Sequence, residues 1–150
     1  MNGRTLVKRA GSWDAASVVQ RVLITGASSG LGRGLAEIYG ASGAHVGLVA
    51  RREELLQDVG RAVALRGGRS SLYVADVTDT AAMERAVRHF ARDAGGLDVV
   101  IANAGVGEGT QHERFDAGRV AEVLRVNVIG FTNTLLPAVA KDPDAAGKTY

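Results

Sequence analysis

Eight residues, Thr25-Gly26-Ala27-Ser28-Ser29-Gly30-Leu31-Gly32, constrain the fold of this chain most. They follow a short apolar run, Val22-Leu23-Ile24, and open a helical pattern near Leu31. Strand, glycine turn and helix in that order give a glycine motif its meaning. The turn aims free backbone N–H groups and the positive end of the helix dipole at one point, which suits a phosphate. A Cβ would block close approach there, and some of these positions need φ > 0. The spacing Gly26-x-x-x-Gly30-x-Gly32 departs from the G-x-G-x-x-G fingerprint.

Apolar runs and helix-period segments alternate along the rest of the chain. Val22–Thr25, His45–Ala50, Ser70–Ala75 and Leu97–Ala102 read as strands. Between them, Leu31, Leu35 and Ile38 recur at helical spacing and Gly43 supplies a stop. Glu53–Arg66 is a second helix with acidic residues at its start and basic ones at its end. Thr78 or Asp79 can cap a third, with Met83, Val87 and Phe90 on its inner face. A long helix is expected from about Asp116, with Val120, Leu124, Val128, Phe131 and Leu135 on its core-facing side and Pro137 bending or ending it. Repeated strand–helix units predict an α/β fold, a Rossmann-type doubly wound parallel sheet. The order 3-2-1-4 puts the switch point between the first and fourth strands, where ligands bind. The glycine turn and Asn103 both fall at that crevice.

With 150 residues the chain is one domain's worth. Residues 21–150 are expected to form it, and 1–20 a mobile extension. The net charge of +2 comes from Arg4, Lys8, Arg9 and Arg21 against Asp14. The remainder is near neutral and carries no aromatic-studded basic stripe, so nucleic acid is not an expected partner. No apolar run approaches the roughly 18 residues of a membrane helix. There are no cysteines, and His45, His89 and His112 lack metal-ligand spacing, so no metal is expected. A cytoplasmic location is expected.

On these motifs the chain resembles the short-chain dehydrogenase/reductase family, whose ordinary single-domain members carry T-G-x-x-x-G-x-G at this place. The likeness runs from residue 22 to about 137. It implies cofactor contacts from Gly26, Ser28, Ser29, Gly30, Leu31 and Gly32. NAD-preferring members carry an acid at the end of the second strand; here Ala50 is followed by Arg51 and Arg52. A guanidinium binds a ribose 2′-phosphate that a carboxylate repels, so NADP is the expected cofactor, with NAD the lesser alternative. The two arginines can also be read as the start of an exposed helix. Asp76-Val77 resembles the family's contact to the adenine ring; Asp76 can equally cap the next helix. Asn103-Ala104-Gly105, preceded by Ala102, resembles the family's N-N-A-G without its first Asn. Its Asn ties strands together near the cofactor, and its small residues leave room for the ribose. Asn127 resembles the family's helix-kinking Asn, which holds a water in the proton relay; the alternative is a structural amide paired within the core.

The family's chemistry also needs a Ser and a Tyr-x-x-x-Lys pair. Four residues after Tyr39 stands Gly43, and after Tyr73 stands Val77; Tyr150 is the last residue. The expectation is a partial form of a longer oxidoreductase that moves hydride between a nicotinamide and a carbonyl or secondary alcohol. These residues alone are then inactive, with later strands missing, an exposed fourth-strand edge and marginal stability. A homo-oligomer is expected at full length. A non-catalytic dinucleotide-binding fragment is the rival reading. A sugar-nucleotide epimerase would favour Gly-x-x-Gly-x-x-Gly, which the spacing here opposes.

Overall fold

Val22, Leu23 and Ile24 are fully buried, because the strand that carries them, β1 (Arg21–Thr25), is covered on both faces. The computed structural model describes residues 19–107 and 117–140. The expected N-terminal extension, the helix start near Asp116 and the tail Lys141–Tyr150 lie wholly or mostly outside these residues. Four strands form one parallel sheet, β1 with β2 (His45–Ala50), β3 (Arg69–Val74) and β4 (Val99–Ile101). Their order is β3-β2-β1-β4, as the alternation predicts.

Strand alternation sends Val22 and Ile24 to one face and Leu23 to the other. On the first face they meet Val46 and Leu48 of β2, with Ala36 of α1 (Gly30–Ala41) and Leu56, Val59 and Val63 of α2 (Glu53–Leu65). On the second, Leu23 and Val49 pack with Met83, Val87 and Phe90 of α3 (Thr80–Ala94). Gly47 is needed in mid-strand there, because a Cβ would come within 2.8 Å of the Phe90 ring. That ring stands edge-on to His45 and Tyr73, at centroid distances of 5.2 and 6.4 Å.

β4 is shorter than the expected Leu97–Ala102. Asp98 is held instead by Arg21, whose backbone N and Nε both donate to Asp98 Oδ2 at 2.8 Å. Among the described residues β4 pairs with β1 alone. The last helical stretch runs through α4 (Ala117–Leu124), a π-helical turn (Arg125–Ile129) and α5 (Gly130–Val139), which contains Pro137 without ending there. The expected core-facing stripe is corrected here: Val120, Leu124, Val128 and Phe131 are exposed, and only Leu135 is half-buried. The buried side of α5 is Gly130, Asn133 and Thr134. A π turn holds an extra residue, so it shifts the phase of everything after it. No described helix is long and apolar enough to cross a membrane.

Candidate functional site

The C-terminal ends of the four strands surround a cavity of about 370 Å³. Its floor is the turn between β1 and α1. Gly26 has φ +64°, and a Cβ on it would stand 2.8 Å from Ala104 Cα. Gly30 has φ +54° and open space where a Cβ would point. A Cβ on Gly32 would overlap the Gly26 carbonyl oxygen. The three glycines thus serve three needs: close packing against the β4 loop, a left-handed backbone conformation in the turn, and a tight entry into the helix.

Asn103 holds this turn to the end of β4. Its Nδ2 donates to the carbonyls of Thr25 at 3.1 Å and Gly26 at 3.3 Å. In return, Ala104 N donates to Thr25 Oγ1 at 3.2 Å. The two sequence signals that pointed to one crevice are therefore bonded to each other.

Around the cavity stand Gly26, Ser28, Ser29 and Leu31 of the turn, Ala50, Arg51 and Arg52 after β2, and Ala75, Asp76 and Val77 after β3. Asn103, Ala104, Gly105 and Val106 close it beside β4, with Val126 of the π turn. Of the expected site residues, Gly30, Gly32 and Asn127 do not line it. Gly32 is wedged behind the turn. Asn127 is exposed rather than in a core, but it is paired. Its Oδ1 accepts from Val106 N and its Nδ2 donates to Val106 O, both at 2.9 Å. It lies within the π turn, so the helix is irregular at this residue.

Charge at the rim is arranged in two pairs. Arg52 Nη2 donates to Ser28 Oγ at 3.3 Å and Ser29 Oγ at 3.2 Å. Arg51 stands 3.6 Å from Asp76 Oδ2. Hydrogen bonds from the Thr78 backbone N–H and hydroxyl, with Arg51 nearby, hold the Asp76 carboxyl below its ordinary range. Asp76 does not cap α3: Asp79 does, accepting from Ala82 N at 2.9 Å. Among the described residues no group of three or more His, Asp or Glu is placed to hold a metal.

Ala75, Val106, Val126 and the buried amide of Asn133 were not singled out from sequence. Val126 sits beside the singled-out Asn127, but only the π turn aims it into the cavity. Asn133 stands in Phe131-Thr132-Asn133-Thr134-Leu135-Leu136, where flanking threonines mask any signal from a lone polar residue.

Known proteins share this fold. The family profile for short chain dehydrogenases matches residues 20–145. A fatty acyl-CoA reductase of Acinetobacter baylyi is 37% identical over 116 residues, covering 76% of this chain and 39% of that protein. An uncharacterized oxidoreductase of Myxococcus xanthus is 41% identical over 113 residues, covering 75% of this chain and 45% of that one. The crystal structure of a short-chain type dehydrogenase/reductase from Mycobacterium marinum superposes with a TM-score of 0.74 at 30% identity, covering 79% of this chain and 48% of that one. The chain thus spans under half the length of these relatives. From its glycine turn to α5, the chain belongs to the short-chain dehydrogenase family.

Proposed function

We propose that the cavity binds NADP, and that the chain forms the nucleotide site of an oxidoreductase acting between the nicotinamide and a small carbonyl or secondary alcohol. A cytoplasmic homo-oligomer is part of the same reading. The observation that carries the NADP preference is the Arg51–Arg52 pair at the rim, beside Ala50 where an acid would repel a 2′-phosphate. Arg52 is bonded only to neutral hydroxyls in the pairs described above, and a phosphate is the stronger acceptor. Arg51 and the Asp76 carboxylate stand together where the adenosine would lie.

The residues fit such a ligand at its diphosphate too. The N-terminus of the 12-residue α1, which carries no side-chain cap, offers its first-turn N–H groups and a positive dipole end. Gly105 and Ala104 leave the ribose room. Bound there, the dinucleotide supplies the hydride donor or acceptor. Asn127 fixes the Val106 main chain at the far end of the cavity and so shapes the wall beside the nicotinamide. The sequence holds no Tyr-x-x-x-Lys. That favours binding without turnover for these 150 residues on their own.

Titration by nucleotide fluorescence tests the reading. NADPH should bind tighter than NADH by roughly tenfold to a hundredfold, the value of one or two charge-assisted hydrogen bonds. Arg52→Ala should erase most of that gap while leaving NADH little changed. A clear NADH preference in the unsubstituted chain sinks the NADP assignment.

A further inference from the structure

We infer that Asn133, a buried amide on α5, is a positioning residue that holds the adenine-side wall of the cavity in register. The inference rests on the NADP reading above and adds a residue that lies outside the cavity lining.

Asn133 is 7% exposed, among the few buried polar side chains of the described residues. A buried amide is costly unless its polar atoms are paired, so the partners it takes are informative. The neighbouring buried hydroxyl of Thr134 turns back to its own helix, donating to Gly130 O. Asn133 instead reaches out of its helix. Its Nδ2 donates to the Val77 carbonyl at 2.9 Å, and its Oδ1 accepts from Thr80 Oγ1 at 3.2 Å. One side chain therefore ties the middle of the segment between β3 and α3 to the first residue of α3.

That segment is stiff within itself. Asp76 Oδ1 accepts from Thr78 N at 2.9 Å and Thr78 Oγ1 at 2.8 Å, and Asp79 N donates to Asp76 O at 3.0 Å. A stiff turn moves as a body when an anchor is removed, carrying the Asp76 carboxylate with it. Its anchors to the sheet and α3 are Ala75 N to Ala50 O at 3.1 Å and the Asp79 cap. Asn133 is the anchor from α5. Gly130 makes it a close one: a Cβ there would lie 2.5 Å from Val77 Cγ2, so the helix backbone lies against the Val77 side chain. Val77 is thus held by its side chain and by its carbonyl. The amide sets where Asp76 meets the adenine amino group.

The test compares the affinity of the full chain for NADP+ and for its hypoxanthine analogue, which has an oxo group in place of that amino group. The unsubstituted chain should prefer the adenine form by about tenfold, the value of one hydrogen bond to a charged acceptor. Asn133→Leu should bring the two affinities within about twofold, chiefly by weakening NADP+. Thr80→Val, which keeps its shape but frees Asn133 Oδ1, should lower the preference part-way, and decides the matter if Asn133→Leu does not fold. A merely structural role would weaken both dinucleotides alike and leave their ratio intact. Folded variants that keep the full preference overturn the inference while NADP binding stands, as does an unsubstituted chain that binds the two forms equally. If the unsubstituted chain binds neither, the inference and the NADP reading fall together.

Discussion

Gly32 and Gly34 lie in the first turn and a half of α1, two residues apart, and the same substitution should move stability in opposite directions. At Gly32 an added methyl group meets the Gly26 carbonyl and Asn103 Nδ2. The turn cannot open without also breaking the bonds that Asn103 makes to Thr25 and Gly26. Gly34 is exposed, with no atom within 4 Å of its would-be Cβ. Alanine there loses nothing and gains helix propensity. Gly34→Ala should stabilise the chain by up to about 1 kcal/mol. Gly32→Ala should cost about 1–3 kcal/mol, as overpacking does, and should weaken nucleotide binding. Urea unfolding of the two variants reads both signs. Equal effects would mean that Gly32 is a helix residue like any other, and the account of the turn fails. Arg51 and Arg52 illustrate what a residue's identity leaves open. Their charge was legible in the sequence, but their partners are set by long side chains whose rotamers depend on Asp76 and on the two serines.

At the scale of elements, legibility followed burial. β1 and β2 are sheathed by helices on both faces, so they read as unbroken apolar runs, and β2 has the bounds its sequence predicts. β4 had an apolar run too, but its ladder is short and its first expected residues are taken up by a polar staple. Arg21 bridges β1 to the α3–β4 connection, with Nη2 on Asp98 Oδ1 at 2.5 Å and Nη1 on the Gly95 carbonyl. The π turn leaves no mark in an apolar periodicity and shifts the phase of Phe131 and Leu135; Val120 and Leu124 precede it, on α4, of which no residue is buried. Val126 lies within that turn, whose aim into the cavity the sequence does not reveal. The staple invites a direct test. Arg21 holds the Asp98 carboxyl below its ordinary range. Both side chains are only about 30% exposed. Asp98→Ala should cost about 1.5–3 kcal/mol, as loss of hydrogen bonds to a charged group does. In the double variant with Arg21→Ala the cost should be less than the sum of the two single losses. Additive losses in chemical unfolding would show that the pair is not coupled.

Across the whole molecule, the two ends of the sheet do separate work. The cavity lies at the strand C-termini, and His45 lies at the other end, where β2 begins. His45 is 6% exposed, with Nε2 2.9 Å from Ser71 Oγ and its ring edge-on to Phe90. Burial pushes its pKa below the ordinary 6.5; Arg69 on β3 pushes the same way, and Asp93 on α3 opposes. The unfolded chain therefore takes up this proton first as the pH falls. Stability from His45 is fully present above about pH 6.5 and declines as the pH drops through 6.5 towards the folded value. The lowered carboxyls of Asp76 and Asp98 act later. Their contribution is present above the ordinary 3.8 and is lost below it. Two acid limbs should thus appear in the urea midpoint, one setting in just under neutrality and one in strong acid. His45→Gln keeps a polar partner for Ser71 and cannot titrate. It should remove the upper limb and leave the lower one, and it should leave NADPH affinity at pH 7.5 unchanged, because the cavity is at the opposite end of the sheet. The same decline between pH 7.5 and 5.5 in His45→Gln would assign the upper limb to another group. A fall in NADPH affinity would mean that the two ends of the sheet are coupled.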